Sequence, residues 1–252
     1  MLALITGASS GIGKEMARVL AARDYDLALV ARNVQALNEL KQEIELAHSN
    51  IKVTVHQYDI SIAENCRKLH SEVRDIDVLI NNAGFGTFGN FTDIELEKEI
   101  SMIDTNITAV HMLTKLYLKD MQAKNAGHIM NVASIAGFLP GPLMATYYAT
   151  KNYVLSLSRA INYELKKSKS NVKISVLCPG PVNTNFNSVA GVKFDLKGLS
   201  SKYVAEYAIN QMHKGKLIIT PGVVIKIGRA LCEIVPDYIK EKVSYHLQKQ
   251  KM

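Results

Sequence analysis

Short apolar runs recur along the chain, and most are followed by a stretch in which apolar residues return every third or fourth position. Leu2–Ile5 reads as a buried strand, Asp26–Ala31 as a second, and Ile51–Tyr58 as a third with Ile51, Val53 and Val55 alternating. Val78–Ile80, His128–Ala133, Val172–Leu177 and Leu217–Ile219 continue the series. Helical periodicity appears at Lys14–Leu20, at Gln35–Leu46 with Leu37, Leu40 and Ile44 in register, at Ile94–Ile103 and at Ile107–Met121. A longer helix opens near Ala145 and continues through Val154, Leu157, Ile161 and Leu165, and Tyr203–Met212 gives another. Strands alternating with helices predict an α/β, doubly wound, mostly parallel seven-stranded sheet with helices on both faces. No repeat or linker divides the pattern. Residues 1–222 are expected to form one dinucleotide-binding and catalytic domain, with 223–252 as a helical extension of it.

The turn after the first strand, Thr6-Gly7-Ala8-Ser9-Ser10-Gly11-Ile12-Gly13, narrows the fold to the Rossmann type. Gly7 permits a tight turn, Gly11 lets a phosphate approach the backbone, and Gly13 lets helix and strand pack closely. Ser9, Ser10 and Ile12 complete that cradle. In nucleotide folds an acidic residue about 20 positions later holds the adenosine ribose. Here Ala31 occupies the place and Arg32 follows it. A guanidinium suits a 2′-phosphate, so the reading favours NADP(H), with NAD(H) as second choice. Asp59 and Ile60, at the end of the third strand, are placed for the adenine end, and Asn82, Ala83 and Gly84 follow the fourth strand along the same crevice.

A second group of residues carries chemistry. The run His128–Ala133 delivers Ser134 to a strand end, and Tyr147 and Lys151 stand four apart at the start of the next helix, on one face. A phenol has a reference pKa of about 10, and a nearby cation favours the phenolate and lowers that value. Tyr147 is therefore the candidate general acid/base, Lys151 its cation, and Ser134 a donor to a substrate oxygen. Asn106 interrupts a helical pattern, either as a satisfied buried amide or as a kink presenting a carbonyl or water to the site.

Composition and charge exclude several classes. The 252 residues include only three cysteines, Cys66, Cys178 and Cys232, whose spacing fits neither a disulfide framework nor a zinc or other metal site. The N-terminal apolar run is too short for a signal segment, no stretch has the length of a membrane span, and a cytoplasmic location is expected. The formal net charge is +7, but the lysines are scattered without an aromatic-interleaved stripe, so nucleic acid is not an expected partner.

In this order and spacing the motifs resemble those of the short-chain dehydrogenase/reductase family. The matching residues are Thr6-Gly7-x-x-x-Gly11-x-Gly13, Asn81-Asn82-Ala83-Gly84, Asn106, Ser134, Tyr147-x-x-x-Lys151 and Pro179-Gly180. The resemblance implies a catalytic set of Asn106, Ser134, Tyr147 and Lys151, acting on a small-molecule carbonyl or secondary alcohol. It implies that Lys151 binds the nicotinamide ribose, that Asn106 anchors a water, and that Pro179, Gly180 and the segment from Pro181 through Val182 to Thr184 lie against the nicotinamide. Ser10 stands where some NADP-dependent members carry a basic residue, and Tyr148, which does not match the family tyrosine, is expected to be structural. A homodimer or homotetramer is expected, pairing through the helices that carry Asn106 and Tyr147.

The region from Val182 to Leu199 lacks periodicity and reads as a mobile lid. Phe85, Phe88, Phe138 and Leu143 suggest an apolar pocket. After Thr220-Pro221-Gly222, Val223–Val235 and Tyr238–Met252 read as two helices broken at Pro236, with Lys226, Arg229, Lys240 and Lys242 among apolar positions. Such a basic amphipathic tail is compatible with peripheral membrane contact, although capping of a sheet edge or subunit is the commoner use. The tail resembles that of the steroid-dehydrogenase-like reductase subgroup, which implies an apolar substrate.

Overall fold

The computed structural model describes residues 1–184, 198–232 and 235–249. Seven parallel strands form one sheet: β1 (Leu2–Thr6), β2 (Asp26–Ala31), β3 (Val53–Gln57), β4 (Val78–Asn81), β5 (His128–Val132), β6 (Lys173–Leu177) and, last in the sheet, β9 (Ile218–Ile219). Their spatial order is β3-β2-β1-β4-β5-β6-β9. β1 is central, with Ile5 opposite Leu29 on one side and Ile80 on the other. A parallel sheet is covered on both faces, which is why β1, β2 and β4 are nearly continuous apolar runs rather than alternating ones. The winding reverses between β1 and β4, the position at which doubly wound sheets open a crevice beyond the strands' carboxyl ends.

Two layers of helices supply the cover. On one face α1 (Gly11–Ala21), α2 (Val34–Ala47) and α7 (Ser201–His213) bury Met16, Leu20, Leu37, Leu40, Ile209 and Met212 against the sheet. The other face carries α3 (Ala63–Glu72), α5 (Val110–Ala123) and part of α6 (Ala145–Lys167), with Leu69, Leu113, Tyr117, Met121 and Leu165 in its core. Tyr117 is buried with its hydroxyl donating to Val73 O at 2.9 Å, so its polar tip is satisfied.

Two elements go beyond the pattern of apolar positions. Helix α3 buries only Cys66 and Leu69, too few points to mark a helical period. The segment read as a lid is bounded by a two-stranded parallel sheet, β7 (Val182–Asn183) with β8 (Leu199–Ser200); the residues between Thr184 and Gly198 lie outside the described ones. The predicted break near Asn106 is a π-helical turn, Asp104–Ala109, between α4 (Leu96–Ile103) and α5. Such single turns of wider helix recur at functional sites.

The tail forms α8 (Val223–Cys232) and α9 (Asp237–Lys249) around Pro236. Three of its cations have partners: Lys226 lies over the Tyr207 ring, Arg229 over Phe138 at 5.4 Å, and Lys240 pairs with Asp237 within α9. Among the described residues no helix is long and apolar enough to cross a membrane.

Candidate active site

The first βα turn is held by side chains from β4's carboxyl end. The Thr6 hydroxyl accepts from the backbone N–H groups of Asn82 (3.0 Å) and Ala83 (3.1 Å), and Asn82 Nδ2 donates to the carbonyls of Thr6 (3.0 Å) and Gly7 (3.2 Å). Gly7 has φ +66°, and a Cβ there would sit 2.8 Å from Ala83 Cα, so only glycine fits both conformation and space. Helix α1 starts at Gly11 with no side-chain hydrogen bond from its cap residue, Ser10, and Ser10, Gly11 and Ile12 all border an open cleft. Its first N–H groups are thus presented to that cleft, an arrangement suited to an anion.

The cleft, about 490 Å³, runs on past Arg32, Asn33, Tyr58, Asp59 and Ile60 at one end, and past Asn82, Ala83 and Gly84 to Ser134, Tyr147 and Lys151 at the other. Pro179, Gly180, Pro181, Val182 and Thr184 form the facing side. Arg32 is largely exposed, with its guanidinium 3.8 Å from Asp59. Thr184 lies over the glycine turn, where its methyl would meet a Cβ on Gly11 at 3.2 Å.

At the inner end, β5 and the following turn (Ile135–Phe138) set Ser134 beside the first turns of α6. Its hydroxyl hydrogen-bonds the Tyr147 phenol. Lys151 is buried, its ammonium 3.0 Å from Val132 O and 5.8 Å from the centre of the Tyr147 ring. Burial pushes the Tyr147 phenol well above its ordinary value, and the Ser134 bond opposes that shift. Burial also pulls Lys151 down to about 8, opposed by the nearby Cys178. The cation is therefore close to the phenol, and desolvation is the largest influence on each group.

Two residues of the predicted set stand behind the cleft, in line with the packing reading of Gly13 and the buried-amide reading of Asn106. Gly13 is taken up by helix packing, because a Cβ there would fall 2.4 Å from Asn82 Nδ2 and 2.5 Å from Gly7 O. Asn106 is fully buried: its carboxamide donates to Phe85 O (2.9 Å) and Thr150 Oγ1 (3.1 Å) and accepts from Phe85 N (3.1 Å). It anchors the loop that carries Gly84, whose missing Cβ would come within 2.8 Å of the Asn106 oxygen. Of the four proposed pocket residues, Phe85 borders the cleft; Phe88, Phe138 and Leu143 do not.

The sequence reading missed other lining groups: Asn33, Tyr58, Thr105, Met144, Tyr148 and, from the tail, Gln248. Tyr148 borders the same cleft as Tyr147, its ring edge-on to Tyr147 at 6.0 Å. A buried polar chain also positions α6: Asn81 Nδ2 donates to Asn131 Oδ1 (2.8 Å), and Asn131 Nδ2 to Ser158 on α6 (3.0 Å). Two asparagines inside otherwise apolar strands were the signal for it.

Comparison with known proteins agrees with this arrangement. A family model for short chain dehydrogenases matches residues 1–192. An uncharacterized oxidoreductase of Staphylococcus epidermidis is 32% identical over 218 residues, covering 83% of this chain and 91% of that protein. The structure of a short-chain dehydrogenase from Sphingobium yanoikuyae in complex with NADPH superposes with a TM-score of 0.83 at 28% identity, over 93% of this chain and 96% of that one. An alcohol dehydrogenase from the archaeon Thermococcus sibiricus, complexed with 5-hydroxy-NADP, gives 0.75 at 28% identity, over 87% and 94%. Fold, matched length and relatives agree that the chain belongs to the short-chain dehydrogenase family of oxidoreductases.

Proposed function

We propose that the protein is an NADP(H)-dependent oxidoreductase that interconverts a carbonyl and a secondary alcohol on a largely apolar substrate. The observation that carries this reading is the cleft joining an uncapped helix N-terminus and Arg32 to the half-buried Ser134 and Tyr147 and the buried Lys151. The absent side chains of Gly7, Gly11 and Gly84 leave backbone open along that cleft, and among the described residues the Lys151 ammonium spends one of its three donors on Val132. These features fit a dinucleotide. When bound, it supplies the hydride.

Within that frame the N–H groups at the start of α1 hold the pyrophosphate and Arg32 the 2′-phosphate, while the remaining Lys151 donors reach the nicotinamide ribose. Ser134 donates to the substrate carbonyl oxygen. Tyr147, kept protonated by its burial, gives its proton to that oxygen as negative charge develops there. Met144, Ile135 and Phe85 exclude water around the reacting carbon. Exposed Leu96, Ile100, Tyr153 and Tyr163 on α4 and α6 support self-association as a homodimer or homotetramer.

Asp59, 3.8 Å from Arg32, favours an NAD-linked enzyme, because a carboxylate there opposes a 2′-phosphate. Affinity for the two cofactors separates the readings. Arg32→Ala should weaken NADPH binding about tenfold, the scale of a charge-assisted hydrogen bond at an exposed site, and leave NADH binding within about twofold. Equal effects on both cofactors would remove the NADP preference.

A further inference from the structure

Helix α4 turns an acid inward. Among its eight residues only Glu99 and Met102 are buried, while Leu96 and Ile100 stay 64% and 48% exposed. Burying an acid while apolar neighbours face outward costs free energy that a satisfied partner must offset. The carboxyl group of Glu99, a residue only 6% exposed, accepts from the Thr146 hydroxyl. Thr146 is the second residue of α6 and directly precedes Tyr147. An acidic group is favoured at that end of a helix, and the cap residue Met144 provides no side-chain hydrogen bond of its own.

The chain does not enter α6 relaxed. Leu143 has φ +66°, in the left-handed region that an L side chain rarely adopts, and its carbonyl accepts from Gly89 N at 2.9 Å. Strain of this kind persists where the surrounding structure over-determines the backbone. Two contacts do so on either side of Tyr147. Before it stands the Glu99–Thr146 bond; after it, the Thr150 hydroxyl donates to Tyr147 O at 2.7 Å and accepts from Asn106 at 3.1 Å. Both reach α6 from the continuous helical stretch formed by α4 and the π-helical turn. Asn106 thus holds the carbonyl side of Tyr147, and Glu99 the side from which the helix starts. Glu99 does not itself border the cleft.

We infer that Glu99 is a positioning residue: through Thr146 it sets where α6 begins, and so where the Tyr147 phenol meets the substrate oxygen. This rests on the carbonyl–alcohol reading above and adds to it a group that touches neither cofactor nor substrate.

Reduction of cyclohexanone and acetophenone tests this, with NADPH oxidation as the readout and kcat counted per NADPH site from fluorescence titration. Glu99→Leu should lower kcat per site about 10–100-fold, the scale on which misplacing a reacting group by about an ångström slows its reaction, while both KM values stay within about threefold. Glu99→Gln keeps an oxygen for the Thr146 hydroxyl and should hold kcat within about threefold of wild type. Thr146→Val should reproduce the loss, and the double variant should be no slower than either single. A group that only supported the fold would lower the number of NADPH sites and leave kcat per site unchanged. If Glu99→Leu fails to fold, Thr146→Val alone decides. A kcat per site within about threefold of wild type in Glu99→Leu or Thr146→Val, or a Glu99→Gln protein as slow as Glu99→Leu, overturns the inference while leaving carbonyl reduction standing. No NADPH oxidation by the wild-type protein with either ketone overturns carbonyl reduction and the inference together.

Discussion

Gly13 offers the most direct test of how the dinucleotide edge of the cleft is built. Its backbone is not in the left-handed region, so Gly13→Ala introduces a purely steric conflict. The new methyl would lie 2.5 Å from Gly7 O and 2.4 Å from Asn82 Nδ2, about an ångström inside ordinary contact on both sides. One of those atoms is backbone of the phosphate-facing turn, and α1 cannot back away because Met16 and Leu20 are packed in the core. Overpacking of this kind costs about 1–3 kcal/mol, and displacing the Asn82 amide from the carbonyls of Thr6 and Gly7 adds about 1 kcal/mol more. The helix-propensity gain of alanine, under about 1 kcal/mol in a first turn, offsets part of this. A net loss of about 2–3 kcal/mol should appear as a lower urea midpoint at unchanged slope, or as a fall in Tm of about 5–10 °C for a chain of this size. Asn82→Ala removes half of the clash, so the double variant should be more stable than the sum of the two singles predicts, by about 1 kcal/mol. A Gly13→Ala protein within about 0.5 kcal/mol of wild type, or strictly additive singles, would refute this account of the turn.

Further outcomes follow from the inner end of the cleft. Tyr147→Phe should lower kcat for ketone reduction about 10²–10⁴-fold while NADPH affinity stays within about twofold, read by steady-state kinetics and fluorescence titration; unchanged kcat would favour a cofactor-binding regulator without turnover. Lys151, pulled down to about 8, is protonated below that pH and neutral above it. NADPH affinity should therefore be full near pH 7 and fall as pH rises through about 8, and Lys151→Arg, whose charge persists, should flatten the profile; a flat wild-type profile contradicts this role. Folding stability should run the other way, since between about 8 and about 10.5 the unfolded lysine holds a proton that the folded one lacks. Asn106→Asp keeps the acceptor for Phe85 N but loses the donors to Phe85 O and Thr150. It should cost about 3 kcal/mol or more in urea unfolding, as a charge is buried where two hydrogen bonds were lost; a loss under about 1 kcal/mol would show that the amide is not the anchor described.

What the sequence made legible was whatever repeats at short range. The strand runs, the glycine turn and the Tyr147–Lys151 spacing are local patterns, and each stands where the pattern predicted. Helix α3 escaped because two buried residues do not define a period. At Gly13 and Asn106 residue type alone does not separate two uses: glycine and asparagine serve tight packing and ligand contact by the same properties, absence of a side chain in one and a paired donor and acceptor in the other. Only the position of Asn82 behind the turn, and of Phe85's backbone beside Asn106, distinguishes the two uses. Tyr148 and Gln248 were invisible for the plainest reason, since a hundred residues separate them and no spacing rule reaches that far. Burial pushes the Tyr147 phenol up and pulls the Lys151 ammonium down, and burial depends on everything around a group rather than on spacing.

Because one rim of the cleft comes from Gly7 and its neighbours and the opposite corner from Gln248, its parts do not become available together during synthesis. Domains fold vectorially as they emerge, so the glycine turn can form while the ribosome is still making the helix that carries Gln248. A nick or premature stop near Pro236 would therefore leave the glycine turn, Ser134, Tyr147 and Lys151 in the chain while removing the Gln248 border of the cleft.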